Sequence, residues 1–166
     1  GSHESDPFWS KSETALLQAI ILMPFQEAPE YEQNFSMVLR VLEYAEVKED
    51  DDEYVSPLDL LFRAMEYENP ESVALRQYKV FKQAAGKTAK SILVSAAVRL
   101  APFNLPQIKA VTDHDDMDLY TLGEKKVALY AVIPDNDNTF NFLVSLLYAQ
   151  AFQALYYSAD QIHHGP

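Results

Sequence analysis

Three times in this chain a helix-capping residue is followed at once by proline: Asp6-Pro7, Ser56-Pro57 and Asn69-Pro70. The side chains of Asp, Ser and Asn accept the unpaired N–H groups of a first helical turn. Proline suits the next position because the N–H it lacks would have no intrahelical partner there. Ser56-Pro57-Leu58-Asp59 adds an acid three residues after the cap, the pattern of a capping box. The chain has only four glycines, and its nine prolines fall mostly between apolar runs. This punctuation predicts helices separated by proline-containing turns.

The first helix opens at Asp6-Pro7 and carries Phe8, Trp9, Leu16, Leu17, Ala19, Ile20 and Ile21, with Pro24 expected to end or kink it. A second covers about Gln33 to Ala45, where Phe35, Val38, Leu39, Val41 and Leu42 recur at helical spacing. A third follows Ser56 to about Tyr67. A fourth runs from Asn69-Pro70 to Gly86, which suits a left-handed C-cap. Lys87 to Leu100 has apolar residues all round its axis and is expected to be buried on most sides. Ala101 to Thr112, with Pro102 and Pro106, reads as a loop with a short helix.

The pattern then changes. Residues 126–133, KVALYAVI, form a short apolar run stopped by Pro134-Asp135, and they predict a buried strand of a parallel sheet. Asn138 is the expected cap of a last helix over 139–159, which carries no charge anywhere in it. Asn141, Gln150 and Gln153 interrupt it, so a helix sandwiched in an α/β unit is favoured over a membrane span. The predicted fold is mainly α: a helical bundle over residues 6–112, then a strand-plus-helix remnant of an α/β domain in 113–166. Residues 1–5 read as a vector scar and disordered lead-in.

Charge divides the chain as sharply. Between Ser72 and Thr112 there are seven basic residues and no acid, whereas the whole chain has 25 acids against 13 bases and a net charge of -12. Such a balance argues against a whole-surface grip on nucleic acid and leaves room for a local basic face. On a helical wheel Val73, Ala74, Tyr78, Val80, Phe81, Ala84 and Ala85 share one side of the fourth helix. Arg76, Lys79, Lys82 and Gln83 take the opposite arc, and Lys87 and Lys90 follow. Two readings fit these bases equally well: a docking surface, or a solvated face paired with the chain's own acids.

Other constellations carry less. Gly86-Lys87-Thr88 has the end of a phosphate-binding loop, but Phe81 stands where that loop needs glycine and a helix precedes it. Asp113, His114, Asp115, Asp116 and Asp118 lack the glycine turn and closing glutamate of a calcium loop. Residues 49–53, EDDDE, read as an exposed loop, and His163-His164 have no sequence partner for a metal. There is no cysteine. No catalytic residue, cofactor or metal is expected of this chain alone.

Two long strings carry a family resemblance: VFKQAAGKTAKSILVSAAVRLAPFNLPQIKAVT and LGEKKVALYAVIPDNDNTFNFLVSLLYAQAFQALYY, with DPFWSKSETALLQAIIL near the start. They resemble the TraG-like coupling proteins of type IV secretion systems in Gram-positive mobile elements. The resemblance implies a piece of a membrane-anchored, homohexameric DNA-translocating ATPase. Its all-α domain lies in the cytoplasm and recognises the relaxase or accessory transfer proteins, with contact to single-stranded DNA. ATP and magnesium would belong to the parent motor, since neither a GxxxxGK[ST] loop nor an apolar run ending in Asp-Glu occurs here. The resemblance therefore implies a substrate-recognition role, and the basic residues read from the charge pattern, Arg76, Lys79, Lys82, Lys87 and Lys90, are its expected binding residues. A structural brace of the motor, with no ligand of its own, is the alternative. The isolated piece is also expected to self-associate or to fold its last helix back onto the bundle.

Overall fold

The computed structural model describes residues 7–46, 48, 54–132 and 140–162. Two compact units divide the chain, residues 1–114 and residues 115–166. The first holds α1 (Pro7–Glu27), α2 (Phe35–Glu43), α3 (Pro57–Glu68), α4 (Val73–Ala85), α5 (Ala89–Leu100) and α6 (Pro106–Thr112). The second holds α7 (Asn141–Tyr157). The protein is mainly helical, and no strand is present among the described residues.

Packing in the first unit is centred on α1. Leu16, Ala19 and Ile20 are wholly buried and meet Ala74, Leu75, Phe81, Ile92 and Ala96 in one continuous core. At the far end of α1 the Gln26 side-chain oxygen accepts from the Ser72 hydroxyl (2.7 Å) and from the Ala74 N–H (3.2 Å). The end of α1 thus meets the start of α4, and the two run antiparallel. Pro24 does not end α1, which continues to Glu27. Its ring is fully buried, and that burial offsets a backbone bond whose loss in a helix interior costs about 3 kcal/mol.

Of the expected N-caps, Ser56 stands as predicted, Asn69 gives way to Ser72, and Asp6 lies outside the described residues. Asn34 accepts from the Met37 N–H (3.0 Å) at the start of α2. Ser56 and Asp59 exchange both bonds of a capping box at the start of α3. In α4 the cap is Ser72 rather than Asn69, because Asn69 is spent closing α3 through its N–H to the Met65 carbonyl (2.7 Å). The last part of the unit is held to α2 from two sides. Phe35 stacks on Phe103 with ring centroids 3.9 Å apart, and the Ser36 hydroxyl donates to Asp113 (2.6 Å).

The helix expected to be buried on most sides is not. Only Ile92, Ala96 and Leu100, one row at four-residue spacing, are buried in α5, while Val94 and Val98 are 57% and 68% exposed. Helices α1, α2 and α4 contact α5, and its side opposite the buried row is exposed.

In the second unit, residues 126–132 have no regular structure, so the strand expected over 126–133 does not form there; Ile133 lies outside the described residues. A strand needs a neighbour to pair with, and among the described residues of this unit no segment pairs with it. The last helix starts at Asn141, and the expected cap Asn138 also lies outside the described residues. Tyr120 meets Tyr157 edge to face at 6.0 Å. Gly123 sits tight against the turn after α7, where a Cβ would come 3.1 Å from the Ser158 hydroxyl oxygen. No helix of the described residues is long and apolar enough to cross a membrane.

Candidate docking surface

Helix α4 carries the first three basic candidates because its buried row is Ala74, Leu75, Tyr78, Phe81 and Ala85. The bases lie off that row, in two different situations. Lys79 forms an ion pair with Glu66 of α3, both side chains half-exposed. Lys82 lies 3.1 Å from Asp59 Oδ1, also on α3. Arg76 donates to the Glu71 carbonyl (3.0 Å) and is exposed. Pairing with the chain's own acids therefore describes Lys79 and Lys82. Val73 and Val80, placed by the wheel on the buried side, are about half exposed next to Arg76 instead.

Behind Lys82 is a polar cluster that the basic arc alone did not reveal. Asp59 is almost fully buried. One carboxylate oxygen accepts from the Ser56 N–H (2.8 Å) and hydroxyl (3.0 Å), and the other accepts from the Tyr78 hydroxyl (2.6 Å). Burial by itself would raise the Asp59 pKa. The bonds from Tyr78, the Ser56 N–H, Lys82 and the Ser56 hydroxyl outweigh it, and the carboxyl is held below its ordinary range. Burial and the adjacent carboxylate push the Tyr78 hydroxyl well above an ordinary tyrosine. The Tyr78 ring stacks on Phe62 at 4.1 Å. Lys82 thus belongs to an internal brace between α3 and α4. The sequence did show Asp59 at the third position of a capping box, but not its partner 19 residues on.

Beyond α4 the chain turns at Gly86, whose φ of 46° and ψ of -130° lie outside the left-handed helical well expected of a C-cap. A residue with a Cβ rarely takes that positive φ. A short 3-10 turn over Gly86–Thr88 then leads into α5. Lys87 and Lys90 are exposed there. At 100° per residue, Val94 and Val98 fall on the side of α5 opposite its buried row and Lys90 borders them, while Lys87 precedes the helix in the 3-10 turn. A segment with apolar residues all round its axis gave no sign that Val94 and Val98 would be its surface residues. Arg99 lies nearer the core: its Nε donates to the buried Glu13 (2.8 Å), which also accepts from Ser95 (2.6 Å).

The five candidates are therefore not one face. Arg76, Lys79 and Lys82 lie on α4, where Lys79 and Lys82 are ion-paired to α3, whereas Lys87 lies in the turn after α4 and Lys90 at the start of α5. The family model for type IV secretory system conjugative DNA transfer matches residues 1–166, the whole chain. The chain belongs to that family. No curated protein and no solved structure matches it. For a conjugative DNA-transfer protein, two arrangements matter less than the basic block. The aspartates after α6 turn on themselves, Asp115 accepting from the N–H groups of Met117 and Asp118 (3.2 and 3.1 Å). Among the described residues no three His, Asp or Glu side chains converge as a metal site. The acidic run 49–53 and His163-His164 lie outside the described residues.

Proposed function

We propose that the first unit of this chain is a substrate-recognition domain of a conjugative coupling ATPase. It receives a relaxase or an accessory transfer protein and helps deliver the relaxase–DNA complex to the secretion channel. The observation that carries this reading is the family match across the whole chain. The exposed bases and valines of residues 72–112 support protein partners over DNA, since a net charge of -12 repels phosphate. In this proposal the parent is a membrane-anchored hexamer fuelled by ATP and magnesium, with this unit on the cytoplasmic side. Residues 126–132 join the sheet of its nucleotide-binding domain as a strand, and α7 covers that sheet.

The test is capture of the relaxase encoded by the same mobile element, with the purified chain as bait. Capture by the wild type, weakened by reversing Lys87 and Lys90, supports the proposal. No capture at any salt concentration overturns it. Anisotropy with single-stranded DNA across a salt series separates a DNA role, for which affinity would fall steeply as salt rises.

A second reading has its own observation. Lys79 and Lys82 are ion-paired within the chain, as in a domain that braces its motor and takes no ligand. Under it, charge reversal at Lys87 and Lys90 leaves transfer unchanged, whereas disruption of Asp59 and Tyr78 abolishes it through loss of fold.

A further inference from the structure

A solvent-facing helix flank is ordinarily polar, and that of α3 is not. Leu60 is 57% and Tyr67 91% exposed, and the exposed Ala64 stands between them. Spacings of four and then three residues put all three on one row, opposite the buried Leu58, Phe62 and Met65. Four-then-three is the repeat of a helix that pairs with another helix. An exposed charge borders the row on each side, Arg63 on one and Glu68 on the other. Glu66 lies further round and is taken by Lys79 of α4. Among the described residues neither Arg63 nor Glu68 makes an ion pair, whereas Lys79, Lys82 and Arg99 each have one.

The order of those two charges selects the occupant. In two parallel paired helices, the residue just before one seam position faces the residue five places further along the other helix. Arg63 and Glu68 are five apart and on opposite borders of the row. A parallel second copy therefore sets Arg63 against Glu68 twice, once in each direction. An antiparallel copy would turn Arg63 toward Arg63 instead. Nucleic acid and anionic lipid both ask for several bases, and this flank has one in a chain of net charge -12.

We propose that the outer row of α3 is a two-fold pairing surface for a second copy of this chain. The two α3 helices lie parallel, with Leu60, Ala64 and Tyr67 meeting across the seam and Arg63 of each copy facing Glu68 of the other. The helix has only 12 residues and each copy carries the same net charge, so the dissociation constant is on the order of 0.1 mM. A two-fold contact closes at two copies. It is distinct from the head-to-tail contact that a hexameric ring needs, and it does not rest on the recognition reading.

Sedimentation equilibrium of the full chain tests this, with Tyr130→Ser and Val132→Lys present throughout to suppress association through the second unit. A monomer–dimer equilibrium is expected, and Tyr67→Lys should weaken it by at least about tenfold. Arg63→Glu and Glu68→Arg should each weaken it by about tenfold, since each sets two like-charged pairs in place of two opposite ones. An equimolar mixture of those two single variants should associate as well as the unreversed chain, because every pair in the mixed dimer is again opposite in sign. The double variant Arg63→Glu with Glu68→Arg should do the same. Thermal unfolding stays unchanged in all of them, because the altered side chains are exposed. A chain still monomeric at about 1 mM overturns the proposal, and so does a dimer indifferent to Tyr67→Lys. Failure of the mixture to recover association overturns it as well. A monomer that binds a leucine-rich helical peptide through Tyr67 gives the row to another protein and overturns it too.

Discussion

The Tyr78 hydroxyl donates to Asp59 Oδ1 across 2.6 Å, joining the first turn of α3 to the middle of α4 inside the core. Removing that hydroxyl leaves a buried carboxylate short of one donor. Tyr78→Phe is therefore expected to lower stability by about 1–2 kcal/mol. Asp59→Ala also removes the helix cap and strands Tyr78, and is expected to lower it by roughly 3 kcal/mol. Urea unfolding followed by circular dichroism checks both, and equal stability of all three proteins would show that the cluster contributes nothing.

The same pair gives the protein a pH dependence with a definite sign. Asp59 has a lowered pKa in the folded state. Its contribution is full above the ordinary aspartate value of about 3.9 and is lost as pH falls through the lower folded value. The stability gap between wild type and Asp59→Asn should be constant at neutral pH and narrow only below about pH 4. Tyr78 has a raised pKa, so its contribution is present below the ordinary tyrosine value of about 10 and declines as pH rises above it. In an ultraviolet titration Tyr78 should ionise only as the fold is lost, and Tyr78→Phe should remove that late phase.

At Gly86 the expected effect of substitution is one of backbone strain alone. A Cβ there would meet no atom within 4 Å, yet φ is 46°. Gly86→Ala should lower stability by about 1–2 kcal/mol through the positive φ, with no change in the core. Thermal unfolding measures the first, and unaltered near-ultraviolet circular dichroism checks the second.

The second unit exposes much of its apolar surface. Tyr130 is 85% and Val132 97% exposed, and Leu122, Leu129, Tyr148, Phe152 and Leu155 help line an open cleft of about 260 Å³. Apolar patches of this kind seek cover. Sedimentation is expected to show concentration-dependent self-association, reduced by Tyr130→Ser with Val132→Lys. A strict monomer at all concentrations would count against it.

Much of the helical layout could be read from the sequence, because capping is a local interaction. Ser56 acts within three residues of itself and was legible; Asn34 and Ser72 act over the same distance, but the sequence signal before α4 pointed to Asn69-Pro70 instead. Burial was harder to read. The wheel of α4 placed Val73 and Val80 inward and could not see that Leu75 would go inward instead, since the neighbouring helices, α1 above all, decide which arc is covered. For α5, composition signalled a core helix although its neighbours cover one flank. Counting charges found the basic block but not its division at Lys82, because Glu66 and Asp59 lie outside the block and reach it only through the fold. The strand expected at 126–133 failed for a related reason: periodicity describes a segment, and a strand is a property of a pair.

The antiparallel pairing of α1 with α4 also bears on how the chain comes off the ribosome. The first helix to be synthesised finds its main partner only after α2 and α3 have been made, and Gln26 waits for Ser72. Until then Leu16, Ala19 and Ile20 have no α4 to cover them. Domains fold as units once their contacts are available. A nascent chain arrested before Val73 should thus remain open to proteases along α1. One extended through Leu100 has the whole α1 groove filled, and protection should arrive late and in a single step.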